Sequence, residues 1–225
     1  MDTRTYSSPY AQAGYQTGMS QTVFDTKVLP LFGGGLLIAA VTAFLGLGVS
    51  PAICFAAVIG EIILILTSGA WSRSENSAIS VGLYFLVTSL AGLAAVPLIR
   101  YGLGAGGPAL IAQAFGVSGL TFGGLMAYGM VTKRNFEGMG GFLIAGVIGI
   151  IMAAIVNIFI GSTALSFGIS VIAVLIFAGF VLYDMSIIRN RFSDADYIMA
   201  AIILFIDFMG LFKNILYLLG MSSKD

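Results

Sequence analysis

The sequence predicts an all-α membrane protein with seven transmembrane helices, and three observations carry that prediction. Charged residues make up only 9% of the 225 positions and hydrophobic residues 59%, whereas a soluble domain carries roughly 25% charged residues. Charge is absent from four long runs, 28–60, 76–99, 101–132 and 138–183, each long enough for one or two spans of about 20 apolar residues. The basic residues that remain fall between these runs with a strong bias to one side.

Residues 1–27 are polar, with Pro9, Gly14 and many Ser, Thr, Gln and Tyr. They lack the apolar segment of a cleavable signal peptide and read as a disordered cytosolic tail. Spans are expected at 28–48, 51–71, 78–99, 109–131, 139–161, 165–188 and 197–219, with a short tail at 220–225. Val49-Ser50-Pro51 separates the first two, and the polar run 72–77 ends the second. The glycine-rich stretch 102–108 follows the third, and 133–138 follows the fourth. The 46-residue run 138–183 exceeds one crossing and is split at Gly161-Ser162-Thr163. The last break is 190–196.

Orientation follows from charge. With the N-terminus inside, cytosolic segments hold Arg4, Lys27, Arg73, Lys133, Arg134, Arg189 and Arg191, against Arg100 and Lys224 outside. By the positive-inside rule the chain is N-in and C-out.

Three carboxylates lie inside predicted spans: Glu61, Asp184 and Asp207. A charge at the bilayer centre costs about 2.5–3.5 kcal/mol on insertion scales and persists only beside a partner or a wet path. These residues are therefore the functional candidates. The sixth span runs inward and the seventh starts at the cytosolic face. A rise of 1.5 Å per residue puts Asp184 about 9 Å and Asp207 about 15 Å from the turn between them. Antiparallel neighbours bring the two side chains within about one helical turn in depth, where they titrate as one unit. Arg73, at the cytosolic end of the second span, has the reach to fold back toward them. The chain has no histidine, so proton chemistry near neutral pH falls to carboxyl groups.

Other features read more simply. Zero net charge argues against nucleic acid. The single cysteine, Cys54, excludes an intrachain disulfide and a multi-cysteine metal site, and no cofactor is indicated. Lys213 snorkels from the last span. Asn157 suits an interhelical hydrogen bond, and Gly119 and Gly123 a helix-packing face. The string 102–107 matches G-x-G-x-x-G but follows a membrane helix rather than a strand, so the dinucleotide reading fails.

Several stretches in order resemble one family. They are Ala114-Phe115-Gly116 through Met130 with Lys133-Arg134, then Asn157-Ile158-Phe159, then Val181-Leu182-Tyr183-Asp184. Phe205-Ile206-Asp207-Phe208 with Leu211-Phe212 and Leu218-Leu219-Gly220 follow, and Glu61 with Trp71 and Arg73 fits the second span. The chain is similar to bacterial members of the Bax inhibitor-1 (transmembrane Bax inhibitor motif) family. The resemblance implies a multi-pass protein of a bacterial inner membrane, with the last helix at the centre of the other six. It also implies a pH-sensitive calcium leak gated by an aspartate pair. Asp184 and Asp207 match the pair, Arg73 the arginine that latches to it, and Glu61 an acidic residue of the ion path. Calcium and protons are then the implied partners, and the three carboxylates a loose, transient calcium site. Lys213 departs from the pattern, where a neutral residue is expected, as does the sparse charge after Arg73.

Two other functions compete. One is regulation of a membrane partner, such as a protease or stress-response complex, through the polar tail. The other is intramembrane aspartyl proteolysis, which Tyr183-Asp184 fits. That chemistry pairs with Gly-x-Gly-Asp, however, and Phe205-Ile206 stand before Asp207. A non-enzymatic calcium leak channel or exchanger is the preferred reading.

Overall fold

The structure, a computed structural model, describes residues 18–73 and 77–223. Residues 1–17 of the expected tail, part of the 72–77 break, and Lys224 lie outside them. The described residues form helices and connecting turns, with no strand among them. We number the helices α1 (Gln21–Gly48), α2 (Pro51–Leu66), α3 (Ser77–Val131), α4 (Gly140–Ile160), α5 (Thr163–Asn190) and α6 (Tyr197–Ser222). All but α2 are long and apolar enough to cross a membrane; α2 has 16 residues and is followed by one further turn, Ser68–Trp71.

Two boundaries differ from expectation. Helix α1 begins at Gln21, so the last part of the segment read as a disordered tail is helical. Its start is defined by Ser20, whose Oγ accepts from the Val23 amide at 3.3 Å as an N-cap. Phe24 and Val28, one turn apart, are buried. The entry to α1 is also pinned to the far end of the chain. The Met19 amide donates to the Ile188 carbonyl at 3.2 Å, and the Ser20 amide donates to Asp194 Oδ1 at 2.7 Å.

The second difference is α3, where the third expected span continues as helix through 100–106 and meets the fourth at a kink, the two together covering 55 residues. A straight helix of that length would measure about 80 Å, more than twice a hydrocarbon core of about 30 Å. It is broken at Gly107, whose φ of 70° and ψ of −164° suit glycine and strain other residues. Pro108 then opens the second arm at a position that needs no amide donor. We call the arms α3a (77–106) and α3b (108–131). The expected split at 161–163 is present: Gly161, with φ 67°, closes α4 by donating to the Asn157 carbonyl at 2.8 Å. Ser162 caps α5.

Helix α6 is the most enclosed, with 61% of its most apolar stretch buried against 6% for α4. It packs on both arms of α3, on α5 and on α1, whereas α2 leans mainly on α3 and α4 mainly on α5. The last helix is therefore interior, but α2 and α4 are outer helices. Gly119 and Gly123 do not serve as a packing face within this chain, since nothing lies within 4 Å of a Cβ at either.

Charges gather at the end of the bundle that carries the α5–α6 turn. Lys27 stacks over the Tyr197 ring at 4.9 Å, and Arg191 pairs with Glu137. Arg189 donates to the carbonyls of Gly129 and Thr132. At the opposite end Arg100 donates to the carbonyls of Leu47 and Val49.

Candidate functional site: a buried carboxyl pair

Helices α5 and α6 are antiparallel neighbours joined by the short turn 191–196. Asp184 stands about 10 Å before that turn and Asp207 about 16 Å beyond it, at 1.5 Å per residue. Their side chains meet. Asp184 is 9% exposed and Asp207 3%, and the two carboxyl groups stand within hydrogen-bonding reach of each other. Ionised carboxylates only accept hydrogen bonds, so a bond between them needs a proton on one of the two.

The surroundings leave the pair to satisfy itself. Val181, Met185 and Ile188 on α5, with Leu204, Phe205 and Phe208 on α6, are buried around it. Among the described residues no amide or hydroxyl reaches Asp207 Oδ2; what stands against Asp207 is the Asp184 carboxyl. Two negative charges here would repel with little screening. The proton count of the pair therefore decides whether α5 and α6 attract or repel at this level.

Arg73 is not the pair's partner in this structure. Its Nε donates to Asp196 Oδ1 at 2.5 Å, in the turn just before α6. The two side chains are 65% and 5% exposed. Asp196 also accepts from the Ser193 amide and hydroxyl, each at 2.8 Å, which closes a capping box. Burial pushes the Asp196 carboxyl up, but the hydrogen bonds from Ser193 and Arg73 outweigh it and hold the group below the usual carboxylate range. The expected latch onto the pair is thus a latch onto the turn between the two aspartate helices. The reason is depth: Arg73 lies level with the start of α6, and Asp207 is about 16 Å further in.

Glu61 is not brought to the pair either. It is half-buried on α2, and the positive charge of Lys213 on α6 acts on it without forming an ion pair. Among the described residues no three metal-ligating side chains stand together. The packing of α2 on α3 holds Glu61 away. The two aspartates alone offer at most four oxygens, where calcium takes 6–8. The expected bond from Asn157 is present as an α4–α5 link, its amide donating to Ser166 Oγ at 2.6 Å.

The sequence profile of the family described as inhibitor of apoptosis-promoting Bax1 matches residues 21–224. The chain belongs to the Bax inhibitor-1 family. The matched region contains the carboxyl pair, Arg73 and Glu61. Bacterial relatives cover nearly the whole chain. An uncharacterized membrane protein of Vibrio cholerae is 33% identical over 220 residues, spanning 93% of this chain and 96% of its own. A protein of Deinococcus radiodurans is 30% identical over 217 residues, 90% of this chain and 91% of its own. An uncharacterized membrane protein of Streptococcus pyogenes is 27% identical over 226 residues, 92% of this chain and 96% of its own. With its long apolar helices, this member of the family is an integral membrane protein.

Proposed function

We propose that the protein is a pH-sensitive calcium leak of a bacterial inner membrane, with the Asp184–Asp207 pair as sensor and gate. What carries the reading is the close approach of two buried carboxyls that have no cationic partner among the described residues. A contact of this kind changes strength with each proton gained or lost.

With one proton on the pair, the bond is charge-assisted and roughly twice as strong as a neutral one. It holds α5 to α6. A second proton replaces it with a neutral bond, and the two helices separate more easily, so the leak rises as pH falls. Arg73 acts one step away, fixing through Asp196 the turn that joins the two helices. Calcium passing the opened pair meets a few oxygens and water, and weak binding of this sort lets an ion leave as well as enter. Glu61 contributes acidity to the path from α2.

Seven crossings fit this reading. The two arms of α3 count separately, and α2 with its extra turn counts as one. The basic end, with Lys27, Arg73, Lys133, Arg134, Arg189 and Arg191, faces the cytosol. Proteolysis is disfavoured, because the ring of Phe205 packs edge-on at 6.5 Å to Tyr84 where a protease needs glycines beside its aspartate.

The test is calcium flux from proteoliposomes containing the purified protein, across about pH 5–8, the range in which a neutral-pH switch acts. A leak that increases toward the acid end supports the proposal. Flux that is equal at every pH overturns it and favours the regulatory reading.

A further inference from the structure

We propose that Phe177 is the hydrophobic gate of this path, closing it between a cleft at the end remote from the 191–196 turn and the carboxyl pair; the proposal rests on the leak reading above.

The cleft lies between α4, α5 and α6 and has a volume of about 260 Å³. Asn157, Ser166, Ser170 and Tyr217 line it among apolar neighbours, so this open cleft at the surface of the bundle offers water a few polar partners. From the cleft, one face of each helix leads to the pair. On α6 the residues Tyr217, Asn214, Gly210 and Asp207 are spaced three, four and three apart in a single stripe. On α5 the stripe is Ser170, Ala173, Phe177, Val181 and Asp184. Polar residues stand at its two ends and apolar ones between.

Phe177 sits midway, about 10 Å along α5 from both Ser170 and Asp184. Its ring lies against Gly210, one turn from Asp207, so closely that a Cβ at Gly210 would overlap it. The Phe180 ring adjoins it at 6.3 Å. The Asn214 amide donates to the Gly210 carbonyl at 2.8 Å, fixing the seat on which the ring rests. An apolar ring across a narrow path stops ions by excluding water. Separation of α5 from α6 at the pair lifts the ring from its glycine.

The test uses the full chain in proteoliposomes, in a Cys54→Ser background, with two readouts. One is calcium leak. The other is reaction with a small water-soluble thiol reagent at Ser170→Cys, in the cleft, or Val181→Cys, beyond the ring. Ser170→Cys is expected to react whatever stands at 177. Val181→Cys is expected to react slowly with Phe177 and about tenfold faster with Phe177→Ala, a change of about 1.4 kcal/mol in barrier. The leak rises in parallel, while Phe177→Leu stays close to the parent. Should Phe177→Ala fold poorly, Gly210→Ala displaces the ring and is expected to speed the same reaction. A Val181→Cys rate unmoved by both substitutions in folded protein, or an unreactive Ser170→Cys, overturns the gate. A pH-dependent leak indifferent to Phe177→Ala overturns the gate and leaves the leak. Faster labelling of Val181→Cys with no leak in any variant supports the ring as a barrier to water and overturns the leak reading.

Discussion

On one side of α6, Phe208 and Phe212 pack with Phe32 of α1 and with Phe115 and Phe122 of α3b. On another side, Asp207 and Gly210 meet Asp184 and Phe177 of α5. The aromatic side is dry and interlocked: Phe32 stacks on Phe122 with centroids 5.1 Å apart, and Phe115 meets Phe208 edge-on at 5.3 Å. Such pairs contribute about 0.5–1.5 kcal/mol each beyond area burial, and none of them responds to pH. The acidic side sets two facing carboxyls and one ring on one glycine among the buried apolar residues Val181, Met185 and Ile188 of α5. On the proposed reading the aromatic side is the fixed part, and α5 is the helix whose hold on α6 changes with the charge of the pair.

The largest expected effect comes from cutting the aromatic side. Phe208→Ala should destabilise the protein by about 3–5 kcal/mol, read as denaturation in detergent or lipid. The pH at which the leak changes should stay where it is in folded protein. A loss under about 1 kcal/mol, or a moved pH profile, would mean that the two sides of α6 are not separate in kind.

An intermediate effect is expected at Glu61 and Lys213. Each charge acts on the other across the bundle, so Glu61→Gln and Lys213→Met should each cost about 1–3 kcal/mol. The double variant should cost less than the sum, because neither charge is then stranded. Simple additivity in a double-mutant cycle of thermal stability would remove the link between α2 and α6.

The smallest effect is expected at Arg73. Its side chain is largely exposed, so Arg73→Ala should cost only about 0–1 kcal/mol, and Asp196→Asn should add little to it. The pH dependence has a definite sign. The Asp196 carboxyl is held below its ordinary range in the folded protein, so its contribution is intact at neutral pH. It is lost only as pH falls through that lowered value. This ion pair therefore supplies no switch near neutrality. If Arg73→Ala abolishes the pH response of the leak while Asp196→Asn leaves it, the arginine acts on the buried pair after all.

Much of this arrangement was legible in the sequence. Charge-free runs marked the helices, Gly161 marked the split between α4 and α5, and two aspartates flanking a short turn implied their meeting. What the sequence hid was tertiary. Gln21, Thr22, Asp25 and Lys27 made the start of α1 look like a tail, although Phe24 and Val28 already had helical spacing. The helical continuation of α3a through 100–106 depends on glycines that equally permit a loop. Arg73 reads as a partner for the pair until the depth at which α2 ends is known. The seat of Phe177 on Gly210 is a contact between two helices, and neither residue announces it alone.

The central claim is that Asp184 and Asp207 act as one proton-binding unit that sets the hold of α5 on α6. Its most direct test is the pH profile of calcium leak in proteoliposomes for the parent protein, Asp184→Asn, Asp207→Asn and the double variant, at equal folded yield. Either single substitution should flatten the profile, and the double should add little, because the proton is shared. Single variants that keep the parent's pH response, or a double variant that sums two independent losses, would contradict it.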